Sequence, residues 1–175
     1  VKNIAGQRVD HWPLTPIGDR QGGIWHGGHR DLLLENELRD PYNLDFRPRK
    51  NSSLVNAGVI IERINDQVKD GKPDIGAYEH GEANYWIPGR QEKQACTPIP
   101  PHQSETVKAD ADLMWLPCYG FEEERDTHRV YFSLNQQEVI EGSQTALRSE
   151  QKNNTFSPGP LVNGAEYFWR VDEVV

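Results

Sequence analysis

A period of two is the strongest constraint on what this chain can fold into. Leu113 and Trp115 alternate with Met114 and Leu116, and Pro117 ends the run. His128, Val130, Phe132 and Leu134 share one side of a second run, and Tyr167, Trp169 and Val171 one side of a third, with Arg170 and Asp172 opposite. Successive strand side chains point to opposite faces, so each run reads as a strand with one buried face. Three such runs within about seventy residues predict a β-sandwich. Asn153-Asn154, Ser157-Pro158-Gly159-Pro160 and Asn163-Gly164 lie between them and supply turns, because Gly and Asn tolerate positive φ and Pro presets it near −65°. Helical periodicity is absent from this half.

The composition shifts after Ile87-Pro88-Gly89, where a polar run leads into Cys96-Thr97-Pro98-Ile99-Pro100-Pro101-His102. Prolines remove backbone donors and favour extended chain, so residues 96–103 read as a semi-rigid linker between a segment at 1–95 and a domain at 104–175. The first segment is rich in Gly, Asn and Asp with short apolar clusters. Its Leu32-Leu33-Leu34-Glu35-Asn36-Glu37-Leu38 run fits a turn and a half of helix or a short strand bending at Asn36, and periodicity does not choose.

Lys and Arg number 19 against 27 Asp and Glu, a net charge of −8, and the basic residues do not cluster. A surface that displaces counterions from nucleic acid is therefore not expected. No apolar stretch approaches the ~18 residues of a membrane span, and the opening residues lack the apolar core of a signal peptide. Counting Gly and leaving out Tyr, roughly 40% of residues are apolar against the usual ~45–50%, but 9% aromatics are enough to anchor small cores. Cys96 and Cys118 lack the CxxC spacing of zinc or redox sites. One bridge, closing a loop worth about 3 kcal/mol, and two unrelated thiols both stay open.

Leu113-x-Trp115-x-Pro117, His128-x-Val130-Tyr131-Phe132 and Leu161-x-x-Gly164-x-x-Tyr167-x-Trp169-Arg170-Val171 together resemble a fibronectin type III domain over residues 104–175. The resemblance implies that Trp115 points inward on the second strand. It also implies that Tyr167 is the corner tyrosine bonding back to the chain upstream. The family's seventh strand would follow Val175, so the resemblance implies an unpaired edge, which natural proteins usually cover, and a longer parent. The Tyr167-to-Val174 wording resembles such domains in secreted polysaccharide-degrading proteins of environmental bacteria.

Upstream, Asp40-Pro41-Tyr42-Asn43-Leu44-Asp45-Phe46-Arg47-Pro48, Ser52-Ser53-Leu54-Val55-Asn56-Ala57-Gly58 and Pro73-Asp74-Ile75-Gly76-Ala77-Tyr78-Glu79 resemble the last coil and closing segment of right-handed parallel β-helix proteins of the pectate-lyase-like superfamily. The resemblance covers about residues 31–89 and implies that Leu54, Val55 and Ala57 are buried, with Gly58 and Gly76 permitting the bends that stop the stack. Residues 1–30 fit a long loop or an earlier coil. A solenoid unit cannot bury its apolar face alone, so further coils are expected as partners at the amino end and a strand at the carboxyl end. The expected fold class is all-β: terminal coils of a right-handed parallel β-helix followed by a fibronectin type III-like sandwich.

His26, His29 and Asp31 sit on a Gly-rich loop where glycines would admit an ion, but a third ligand at defined spacing is missing and a polar turn is the commoner use. Asp66, Asp70, Asp74 and Glu79 offer hard oxygen ligands to calcium, although they lack the Asp-x-Asp-x-Asp-Gly order and solvated loop acids are commoner. Trp12, Trp25, Tyr85 and Trp86 have flat faces that stack on sugar rings; packing over the coil end or the junction is the alternative, favoured for Trp86. Arg30, Arg47, Arg49 and Lys50 suit an acidic polysaccharide through bidentate guanidinium pairing, or form an ordinary solvated patch. The acidic run at residues 122–126 reads as an exposed loop without a role. No nucleophile elbow, P-loop or dinucleotide fingerprint occurs, and no catalytic residue is assigned.

The resemblances imply a non-catalytic, C-terminal part of an extracellular bacterial protein acting on a polysaccharide, either lyase or glycoside hydrolase. This part would cap the solenoid and space it. A carbohydrate-binding module and a structural adhesin or surface-layer component are the alternatives. Pectin, alginate, chondroitin, carrageenan and ulvan all stay open as substrates.

Overall fold

The computed structural model describes residues 34–63, 65, 68 and 71–175, and the chain divides into units at residues 1–82 and 83–175. Among the described residues strand takes 27% against 8% for helix, so they are built on strands far more than on helices.

In the first unit the described part of the leucine-rich run is helical as far as Glu37, Asn36 included, so the reading as a strand bending at Asn36 is not realised. Helix α1 (Leu34–Glu37) passes directly into strand β1 (Leu38–Asp40). Pro41, with its φ preset, starts a 3-10 turn (Pro41–Asn43) that Leu44 closes in the left-handed region at φ 69°. The chain returns as β2 (Asp45–Pro48), antiparallel to β1, with Leu38 opposite Pro48 and Asp40 opposite Asp45. Among the described residues of this unit the strand pairing is antiparallel; the parallel ladder of stacked coils does not occur among them.

Beyond Pro48 the described residues of the unit have little regular structure and are held by cross-links. Gly58 N donates to Pro73 O at 2.8 Å and Ile75 N to Leu54 O at 2.9 Å. A Cβ on Gly58 would lie 2.7 Å from Pro73 O, so close approach is what demands glycine there; Gly76 is required instead for its φ of +138°. Leu54 is buried and Val55 half-buried, but Ala57 is exposed, contrary to the expectation that all three bury. Val59, Ile60 and Ile61 are exposed as well.

The second unit contains two three-stranded antiparallel sheets. One has the order β3 (Cys96–Ile99), β4 (Leu113–Leu116), β7 (Thr155–Phe156); the other has β6 (Leu147–Gln151), β5 (Thr127–Ser133), β8 (Phe168–Val174). Part of the Pro-rich stretch at 96–103 is therefore strand, paired with β4. β5 and β8 pair without interruption from Thr127↔Val174 to Ser133↔Phe168. This register puts His128, Val130 and Phe132 on the same side as Glu173, Val171 and Trp169. Trp115 of the first sheet meets that side, its ring centroid 5.1 Å from His128 and 6.4 Å from Trp169.

Three expectations are corrected here. All four residues of β4 are buried, so its two faces are both covered rather than one. Leu134 lies past the end of β5 and is exposed. A helix, α2 (Gln136–Glu141), occurs where none was expected. Asn135 caps its start, accepting from Gln137 N, and Gly142 ends it at φ 65°. Near it Tyr131, Val139 and Ala146 form a second apolar cluster flanked by Leu147 and Phe168, which buries Tyr131 on the side of β5 away from Trp115.

Candidate functional site

Trp12, Trp25, Arg30, His26, His29 and Asp31 lie outside the described residues, as do Asp66 and Asp70. Arg47 and Arg49 are described, and both are committed to the chain itself. Arg47 is buried, and its Nε and Nη2 clamp the Asp45 carboxylate at 2.8 and 2.7 Å. An i, i+2 pair on a strand faces one way, so Asp45-x-Arg47 carries this pairing in its spacing. Arg49 Nε and Nη2 donate to the carbonyls of Leu38 and Arg39. The Arg49 guanidinium ties the end of β2 back to β1, while that of Arg47 is spent within β2.

Asp74 and Glu79 are brought together, but as a knot in the backbone. Asp74 Oδ1 accepts from Asn56 N at 2.7 Å and Oδ2 from His80 N at 2.6 Å, while Asp74 N donates to the Glu79 carboxylate. Glu37 ties the same loop from the other end. Burial raises its pKa, but bonds from Ser52 Oγ, Ser53 N and Ser53 Oγ outweigh it and hold the carboxyl below its usual range. Among the described residues, no three His, Cys, Asp or Glu side chains converge as a metal site.

The second unit holds a cavity of about 250 Å³ that sequence reading did not find, lined by Trp86, Leu116, Phe121, Glu123, His128 and Lys152 among others. Tyr85 and Ile87 are buried while Trp86 between them is 71% exposed, so the expected packing of Trp86 does not occur within this unit. Asn154 builds this side of the cavity. Its Oδ1 accepts from Tyr85 N at 2.8 Å and its Nδ2 donates to Tyr85 O and Trp115 O at 2.7 and 3.0 Å, so one amide stands in for a strand neighbour. Asn84 Nδ2 donates to Glu123 Oε2 at 2.9 Å and fixes that carboxylate at the rim. Asp126, from the acidic run expected to be an exposed loop, is buried: its carboxylate takes Glu122 N and the Arg125 guanidinium, and the latter holds its pKa low.

His128 is fully buried at the cavity's inner wall, stacked on Phe121 with ring centroids 4.1 Å apart. Trp115 Nε1 donates to its Nδ1 at 3.2 Å, while Glu173 Oε1 lies 3.3 Å from the same nitrogen. A donor and an acceptor thus compete for Nδ1, and Nε2 has no partner. Burial pushes Glu173 upward, but bonds from His128 and from the Cys118 thiol and N–H hold its carboxyl below the usual range. Burial and the Glu173 carboxylate push the Cys118 thiol up to about 11. The order is thiol, carboxylate, imidazole: the carboxylate suppresses the thiolate instead of the imidazole activating it, the reverse of a nucleophilic Cys–His pair. Cys96 and Cys118 are unbridged.

This cluster predicts a stability profile that falls at both ends of pH. Glu173, held low, contributes stability above the usual carboxylate range that is lost as pH falls through its folded value. Cys118, raised from 9.0 to about 11, keeps a proton the unfolded chain releases, so its contribution is present below pH 9.0 and lost as pH rises toward 11. Melting temperature against pH is expected to lose part of its alkaline limb in Cys118→Ala and part of its acid limb in Glu173→Gln. In a Cys96→Ser chain, Cys118 should be alkylated on the order of a hundredfold more slowly folded than unfolded in urea, from thiolate population alone.

No protein-family model matches the chain, and no curated protein or solved structure does either.

Proposed function

We propose that the chain is a non-catalytic, C-terminal part of an extracellular polysaccharide-active β-helix protein, its first unit closing the solenoid and its second a fibronectin type III-like spacer. The observation that carries the reading is the sheet order of the second unit, β3-β4-β7 with β6-β5-β8, together with Tyr167 Oη accepting from Val162 N at 3.0 Å. This order, with Tyr167 bonded back to the chain upstream, supports reading the unit as such a sandwich. β8 pairs with β5 on one side and carries no strand on the other among the described residues, an edge that a further strand would cover. Asp74 ties Asn56 to His80 through its carboxylate, a closure that suits a terminating segment.

A suppressed thiol at Cys118 and guanidinium groups spent on the fold at Arg47 and Arg49 support a mechanical role over a chemical one. The test is turnover. Incubated with pectin, alginate and chondroitin sulfate, the chain is expected to release neither unsaturated uronate nor reducing ends, and release of either overturns the reading.

A further inference from the structure

We propose that the strand which covers the open edge of β8 is β8 of a second copy of this chain, paired antiparallel about Val171 so that the two sheets run on as one. The inference names a partner for the edge described above and rests on that edge, not on the polysaccharide role.

Backbone groups alternate sides along a strand, so each residue of β8 turns its N–H and C=O either toward β5 or away from it. Phe132 settles which. Its N–H donates to Ala146 O at 2.8 Å and its carbonyl accepts from Arg148 Nε at 2.9 Å, so Phe132 turns toward β6. Its neighbours Tyr131 and Ser133 then turn toward β8, where they meet Arg170 and Phe168. Along the uninterrupted β5–β8 register, Phe168, Arg170, Asp172 and Val174 therefore spend their backbone groups on β5. Those of Trp169, Val171 and Glu173 face the open side, where no strand pairs among the described residues.

Bulges and charged side chains commonly keep such edges apart. β6, the opposite edge of this sheet, slips by one residue at Arg148, whereas β8 keeps register over all seven of its residues. The charges of β8 are placed to match themselves. With Val171 opposite Val171, the edge-facing residues meet as hydrogen-bonded pairs, Trp169 against the partner's Glu173. On the other side of the strand Phe168 then lies opposite the partner's Val174, and Arg170 opposite the partner's Asp172. These are non-hydrogen-bonded positions, where side chains approach most closely. Within one copy Arg170 and Asp172 already form an ion pair at 2.7 Å and stay partly exposed, so the join continues a row of alternating sign. A shift of two residues is the next register in which the edge groups meet. In one direction it sets Arg170 against Arg170 and in the other Asp172 against Asp172, and like charges directly opposite are destabilising. The contact is one surface meeting itself, so it closes at the dimer. A short edge buries little area, which makes the dimer weak and dependent on concentration.

Sedimentation and amide hydrogen exchange of the full chain between about 10 µM and about 1 mM test this. The expected result is a monomer–dimer equilibrium in which the Trp169, Val171 and Glu173 amides gain protection as concentration rises, while those of Arg170 and Asp172 are protected throughout by β5. Val171→Pro removes an N–H that β5 does not use, at a position where edge strands tolerate proline, and should abolish the dimer with the Arg170 and Asp172 amides still protected. Asp172→Lys and Arg170→Glu each set like charges opposite one another and should weaken self-association about tenfold. Mixed in equal amounts, these two variants should associate again, because each supplies the sign the other lacks. A chain that stays monomeric to about 1 mM, edge amides already protected at the lowest concentration, or association that neither charge variant moves each overturns the proposal. Polysaccharide turnover would sink the non-catalytic reading and leave the dimer standing, so the two failures are distinguishable.

Discussion

Replacing Asp74 with alanine is expected to unravel residues 54–80 of the first unit. Among its described residues this segment has no strand or helix, and the shape of these depends on a few bonds between distant points. The Asp74 carboxylate supplies two of them, to Asn56 N and His80 N, across 18 and 6 residues. Bonds to an ionised acceptor contribute about 1.5–3 kcal/mol each, and deleting the acceptor strands two amides, so a loss of about 3–6 kcal/mol follows. Asparagine should recover only half of this, since its amide nitrogen would face one N–H with another. The readout is hydrogen exchange at the Asn56 and His80 amides: both should lose protection in Asp74→Ala and one in Asp74→Asn. Unchanged protection of both in the alanine variant would show that the Gly58–Pro73 and Ile75–Leu54 bonds suffice to close the loop.

The strands of the second unit were legible because their determinant is local. Alternation marks Leu113–Leu116, Thr127–Ser133 and Phe168–Val174 to within a residue or two, and sharing of one side by His128 and Val130 follows from period alone. Helix α2 escaped the same reading since six residues are too few to display a 3.6-residue repeat, yet Asn135 and Gly142 bracket it as cap residues and were the signal available. What sequence could not yield was pairing at long range. Asn153-Asn154 reads as a turn, and nothing local distinguishes Asn153 from Asn154, which reaches Tyr85 across 69 residues. Asp126 is hidden in an acidic run because its burial is decided by Arg125 and the chain around it, not by composition. The cavity is of this second kind: Trp86, Phe121, His128 and Lys152 are scattered in sequence and converge only through the sheets.

The second large effect is expected at Trp115, where packing and polarity can be separated by choice of replacement. Trp115 is 1% exposed and meets His128 and Trp169, so it joins the two sheets. Truncation to alanine removes that contact and leaves a cavity, a change that costs about 3–5 kcal/mol in well-packed cores. Phenylalanine keeps most of the volume and both backbone bonds to Asn154 but removes the indole N–H. Its cost should be nearer 1–2 kcal/mol, made up of lost packing and one lost hydrogen bond. It should also change the chemistry of the neighbour. With the competing donor gone, His128 Nδ1 is free to donate to Glu173 at 3.3 Å, which moves the ring proton to Nδ1 and leaves a lone pair on Nε2. Urea unfolding measures the first effect as a lowered midpoint at constant slope. Ring ¹⁵N shifts of His128 measure the second. If Trp115→Phe destabilises the chain as much as Trp115→Ala, the indole N–H and not the ring volume carries the junction; if the His128 shifts do not move, Glu173 and not Trp115 already decides which nitrogen holds the proton.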